Sequence, residues 1–100
     1  MNINNTKIEL EITKPLYRRY KLYINDTCHG KLVLECYGGV WNLELMEVVP
    51  TGKGYGTIFL SKVLNIENLR AECMTVCPIN SGAARFFKRN GFTVSDKWLL

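Results

Sequence analysis

Long apolar runs are missing from this chain. No stretch approaches the ~18 residues that cross a bilayer, and the start carries no signal-peptide core. No membrane association is expected, and the expected compartment is the cytoplasm. Histidine occurs once, at His29, and the four cysteines, Cys28, Cys36, Cys73 and Cys77, form no Cys-x-x-Cys pair. Zinc spacing is thus absent and no metal is expected. Cys73 and Cys77, four apart on one face of an expected strand, are too distant for a comfortable ligand pair. With no secretory signal, all four cysteines are expected as free thiols, mostly buried. Acidic residues are outnumbered, nine against thirteen Lys and Arg, for a net charge of +4. That mild excess suits an anionic ligand and allows weak nucleic-acid contact. Arg18-Arg19-Lys21 and Lys88-Arg89 are the only basic groupings, and both read as solvated faces. Internal repeats, linkers and low-complexity segments are lacking as well.

The 100 residues that are there are 47% apolar, a globular composition. They are expected to make a single domain over 1–100, which buries about 65% of its unfolded surface. Residues 6–13 alternate, with Ile8, Leu10 and Ile12 on one face, and predict a half-buried strand that Lys14-Pro15 ends. Strands follow over 17–25, 30–37 and 40–49. They are separated by an Asn25-Asp26-Thr27 turn, with Cys28 and His29 beside it, and by the hairpin signal Gly38-Gly39. Residues 57–66 carry Ile58, Phe59, Leu60, Val63, Leu64 and Ile66 at helical spacing, with Asn65 or Asn68 to end the helix. A strand over 69–77 ends at Pro78. Asn80 caps a second helix that buries Ala83, Ala84, Phe86 and Phe87 and closes at Asn90-Gly91. A last strand is expected over 92–99. The two strands around the first helix must be parallel, joined by a right-handed crossover.

The chain is organised around Val48-Val49-Pro50-Thr51-Gly52-Lys53-Gly54-Tyr55-Gly56-Thr57, a glycine-studded turn between a strand and a helix. Such a turn lets the backbone come close to a ligand and aims the helix's first N–H groups at an anion. It fits neither the dinucleotide fingerprint, since Thr57 replaces the third spaced glycine, nor the nucleoside-triphosphate loop, which needs Ser or Thr after Gly-Lys. A second stretch, Asn80-Ser81-Gly82-Ala83-Ala84-Arg85-Phe86-Phe87-Lys88-Arg89-Asn90-Gly91-Phe92, follows at a telling distance. Together the two resemble the GNAT superfamily of acyl-CoA-dependent N-acyltransferases. Pro50, Gly52, Gly54 and Gly56 match its first motif, and Asn80, Ala83, Gly91 and Phe92 match its second, over about residues 30–98. The spacer after Pro50 is shorter than in the family, Thr51 stands where the family has Arg or Gln, and Phe87 stands where many members keep a tyrosine that protonates the leaving thiolate.

The resemblance implies an α/β fold, a GNAT-like mixed twisted sheet with two helices. Lys14-Pro15-Leu16 leaves no room for the two helices the family places between its first strands, so this would be a small truncated member. Its acceptor side would be open, or walled by a partner or a second copy. The implied co-substrate is acetyl-CoA, with its pyrophosphate on the N–H groups of Gly52, Lys53, Gly54, Tyr55, Gly56 and Thr57. Its pantetheine arm would pair with the splayed ends of strands 43–49 and 71–77, meeting Val48 and Val49 through their backbone. An N–H near Val48 would stabilise the oxyanion. Asn80 would contact the pantetheine, cap its helix, or do both, and Phe87 would sit beside the thiolate. Glu44 and Glu47 are the candidate general bases. Strand alternation sends them to opposite faces, so one at most is catalytic, Glu44 being preferred. Tyr55 replaces the missing acid only if its hydroxyl turns inward, and His29 reads as structural. The function so implied is acetyl transfer from acetyl-CoA to an amine acceptor. The alternative is a non-catalytic CoA-binding or partner-regulating module of the same fold. A basic nucleic-acid-binding protein, which would need an aromatic-basic motif, ranks last.

Overall fold

A computed structural model describes residues 5–94. Strands β1 (Thr6–Lys14), β2 (Tyr17–Ile24), β3 (Thr27–Tyr37) and β4 (Val40–Val48) form an antiparallel meander. β5 (Thr75–Val76) joins β4 in parallel, so the sheet is mixed and ordered β1-β2-β3-β4-β5. Helices α1 (Tyr55–Glu67) and α2 (Ser81–Arg89) complete the α/β architecture expected from the sequence. Only Pro15 and Leu16 separate β1 from β2, so no helix stands between the first two strands.

Alternation builds the core. Tyr20, Leu22 and Ile24 of β2 lie opposite Leu32, Gly30 and Thr27 of β3, and Leu32 and Leu34 lie opposite Met46 and Leu43 of β4. The buried residues of this face pack with Phe59, Leu60 and Val63 of α1, Phe87 of α2, and Phe92. The Tyr20 hydroxyl donates to the Glu67 carboxylate at the end of α1, and Arg18 pairs with Glu67 at 3.5 Å while lying over Trp41. Burial first, then Glu67, holds the Tyr20 phenol protonated far above its ordinary range. Asn68 ends α1 in the left-handed region, as one of the two expected stops, and the Leu69 N–H returns to the Leu64 carbonyl at 2.9 Å.

Three expectations about the strands are corrected. Each antiparallel pair slips by one residue, at Glu11, His29 and Glu44, and a bulge flips the faces beyond it. Ile12 therefore lies opposite Arg19, away from Ile8 and Leu10. Only Asn25 and Asp26 form the β2–β3 turn, with φ of 51° and 67°, so β3 starts at Thr27 and His29 lies in a strand. The strand expected over 69–77 shrinks to Thr75–Val76, because Ala71–Cys73 winds into a 3-10 turn closed by local bonds from Cys73 to Arg70 and from Met74 to Ala71. Residues 92–94 are not strand, and the rest of the strand expected over 92–99 lies outside the described residues. The cysteines are free as expected but not mostly buried. Cys28, Cys73 and Cys77 are exposed and Cys36 is half-buried, since two of the four lie outside regular strands and Cys28 adjoins the His29 bulge.

Gly30 marks where α1 presses on the sheet. A Cβ there would stand 3.0 Å from the Glu47 carbonyl oxygen and from the Phe59 ring. Gly30→Ala is expected to cost about 1–3 kcal/mol through overpacking. Urea denaturation checks this, and an unchanged midpoint would contradict the seating of α1 described here.

Candidate active site

β4 and β5 are paired at two positions, Asn42 with Thr75 and Leu43 with Val76. Past them the strands part, and a cleft of about 750 Å³ opens between them. Glu44 is the extra residue of the β4 bulge, so the strand bends at the point where the pairing stops. From Glu44 to Val48 the edge of β4 turned toward the cleft has no strand beside it among the described residues. Alternate backbone groups on that edge are left to face the opening.

The far end of the cleft is the glycine loop and the first turn of α1. Gly52 and Gly54 have φ of 76° and 79°, the left-handed region where a side chain is strained. Gly56 has a different reason to be glycine: its Cβ would meet the Phe86 ring at 3.2 Å, so it lets α1 pack against α2. The first helical bond is donated by Ile58 to Gly54 at 3.3 Å. The N–H groups of Tyr55, Gly56 and Thr57 have no partner within the helix. Gly54 supplies no side-chain cap, and the first turn holds no carboxylate. Donors and helix dipole are thus left for an outside anion.

Glu44, Glu47, Val48, Gly52, Gly54, Tyr55, Gly56, Thr57 and Phe87 all line this one cleft. Val49, Lys53 and Asn80 do not. Val49 departs from its expected role because His29 takes both of its backbone groups: the Val49 N–H donates to the His29 carbonyl at 2.8 Å, and the His29 Nδ1 meets the Val49 carbonyl at 2.8 Å. Its side chain is exposed. The Asn80 carboxamide is turned onto its own helix and accepts from the Ala83 N–H at 2.8 Å. Tyr55 lies edge-on against His29, with ring centroids 5.1 Å apart.

Glu44 and Glu47 are not on opposite faces, because the bulge at Glu44 interrupts the alternation. Glu47 lies opposite Lys31, and Glu44 accepts from the Asn42 Nδ2 at 2.8 Å. Both lie on the face away from the core. There Tyr37 has the Glu35 and Glu44 carboxylates near it, and its phenol is pushed up to about 12, by loss of water first and the two carboxylates next.

The sequence reading missed part of the lining. Met46 and Leu43 belong to the strand it marked, but their place in the cleft depends on where β5 leaves β4. Ala83 and Phe86, expected in the core, are half-buried and form the α2 wall with Gly82. Arg89 and Cys77 also reach the cleft. The small residues Gly82-Ala83 at the start of α2 were the available signal. Among the described residues no group of His, Cys, Asp and Glu side chains is placed to hold a metal ion, and no helix is long and apolar enough to cross a membrane.

No family model and no curated protein sequence matches the chain. Solved structures do. The PaiA N-acetyltransferase from Thermoplasma acidophilum in complex with coenzyme A is similar at a TM-score of 0.64 and 22% identity, over 81% of this chain and 54% of that one. The ribosomal-protein-alanine N-acetyltransferase from Brucella melitensis biovar Abortus 2308 is similar at a TM-score of 0.59 and 8% identity, over 83% of this chain and 66% of that one. The chain thus spans about half the length of the first and about two thirds of the second. The fold is GNAT-like and truncated relative to the full fold.

Asn80→Ala removes the acceptor of the α2 cap and is expected to cost about 1 kcal/mol of stability. Because Asn80 lies outside the cleft lining, its removal should leave any affinity of the cleft for coenzyme A within about twofold. Thermal melts and calorimetric titration check both halves, and a tenfold loss of affinity at unchanged stability would reverse the assignment.

Proposed function

We propose that the chain is an N-acetyltransferase that moves an acetyl group from acetyl-CoA to an amine. The observation that carries this reading is the parted β4–β5 pair, leading to an uncapped helix N-terminus behind two left-handed glycines. The pantetheine arm would add itself to the free edge of β4 from Glu44 to Val48. The pyrophosphate would lie on the loop and on the N–H groups of Tyr55, Gly56 and Thr57. An N–H near Val48 would stabilise the oxyanion. The amine would lose its proton to Glu44, directly or through water, and attack the thioester carbonyl. The C–S bond would then break, releasing thiolate. A thiol pKa of ~8.5 makes that departure tolerable without an acid.

One observation favours a second reading, a CoA-binding module without turnover. Phe87 has no hydroxyl, and its ring is packed edge-on against Phe86 and Phe92. The two readings share the binding site and differ in thiol release.

Gly54→Val places a branched side chain at a φ of 79° beside the phosphate cradle. It should weaken CoA binding by more than ~tenfold, about 1.4 kcal/mol. Equal affinity of variant and parent by calorimetry would remove the loop from the site.

Phe87→Tyr restores a hydroxyl at the cleft. If thiolate departure limits the rate, thiol release from acetyl-CoA with polyamines, lysine peptides or aminoglycosides should rise, by up to ~100-fold. If proton removal limits, Phe87→Tyr changes little and Glu44→Gln lowers the rate at neutral pH. Tight acetyl-CoA binding without thiol release above the blank, with either residue at 87, would leave the binding module as the function.

A further inference from the structure

Outside the cleft lining, a short chain of side chains ends on Glu44. The Thr75 hydroxyl lies 2.6 Å from the Asn42 Oδ1, and the Asn42 Nδ2 lies 2.8 Å from the Glu44 Oε1. Chemistry sets its direction. An ionised carboxylate only accepts, so Asn42 must show it the NH2 end of its amide. That leaves the amide oxygen for Thr75, whose hydroxyl donates. The chain therefore runs Thr75 to Asn42 to Glu44. It spans the final stretch where β5 still touches β4, since Asn42 and Thr75 are themselves a paired position. Glu44 comes just after the last pair, where the cleft begins.

We propose that Asn42 and Thr75 are positioning residues for the acetyl transfer, anchoring the Glu44 carboxylate from both strands at the head of the cleft. The proposal rests on Glu44 being the base. A bulged strand residue has no ladder partner to hold it in place, so its side chain needs fixing from elsewhere. Here two strands supply that fixing, and neither Asn42 nor Thr75 lines the cleft itself. Other titratable groups lie around Glu44. Tyr37 and Glu35 face it from β3, Glu47 lies on its own strand, Cys77 follows β5, and Arg89 comes from α2 across the cleft.

The sharpest variant is Asn42→Asp, nearly equal in shape. It sets an acceptor against an acceptor, so Glu44 loses its donor and meets a second negative charge, which favours its protonated form. Thr75→Val removes the outer donor, and Thr75→Ser keeps it. Two measurements are made on each: steady-state thiol release against pH, and the side-chain carboxyl titration of residue 44 by carbon NMR; Glu44→Gln, which has no carboxyl there, is assayed for thiol release alone. Asn42→Asp is expected to move the acid limb of the rate profile and the residue 44 titration upward together, by about one pH unit, which lowers kcat about tenfold on that limb and little at pH 7. Thr75→Val should do the same to a lesser degree and Thr75→Ser should restore the parent. KM for acetyl-CoA should hold within about twofold throughout. A purely structural tie between β4 and β5 would instead raise that KM and leave the pH limb in place, which overturns the proposal. A residue 44 titration unmoved by Asn42→Asp also overturns it, while Glu44→Gln still loses activity and the enzyme reading stands. Full activity of Glu44→Gln, or no turnover by any form, removes the base and the positioning role with it.

Discussion

The cleft of this molecule depends on two strands that pair briefly and then separate. β4 and β5 are held together at Asn42–Thr75 and Leu43–Val76. A sheet that stayed paired would have closed the gap with its own hydrogen bonds. The bulge at Glu44 bends β4 on one side, and β5 is only two residues long on the other. The backbone groups that lose their partners cannot be left unsatisfied in a packed interior, so they must face an opening. That opening is the cleft. α2 walls it with Ala83 and Phe86, and α1 ends it with its first turn.

The remaining features keep this gap in place. Tyr20 and Arg18 hold the end of α1 through Glu67, and Gly30 lets Phe59 rest on the sheet. Gly56 lets the start of α1 meet Phe86, so both helices converge at the glycine-loop end of the cleft. His29, itself at a bulge, takes both backbone groups of Val49 and holds the entrance of the glycine loop against β3. Each contact joins a residue of the sheet or of α2 to the loop or to α1, which makes the cleft part of the core and not an addition to its surface.

Much of this was legible in the sequence, for physical reasons. Alternation in 6–13 reports a half-buried strand, and the stripe from Ile58 to Val63 reports a helix face. Gly52 and Gly54 sit where only glycine is unstrained, and Asn80 sits where a cap is needed; both signals are local. The illegible features were those that depend on register. Nothing in Leu43-Glu44-Leu45 states that Glu44 is bulged, so Glu44 and Glu47 seemed to face opposite ways. Residues 69–77 have strand composition, yet where β5 stops is decided by where β4 bends. Ala83 and Phe86 read as core because a helix period shows one apolar face, not which part of it meets an opening. Val49 looked free because its partner, His29, is twenty residues away in sequence.

The central claim is that the gap between β4 and β5 receives an acyl-CoA. Amide-resolved NMR titration of the whole chain with acetyl-CoA tests it most directly. The account expects shifts concentrated in residues 44–48, 52–57 and 77–87, with β1 and β2 unmoved. No saturable shifts, or shifts centred on β1 and β2, would contradict it.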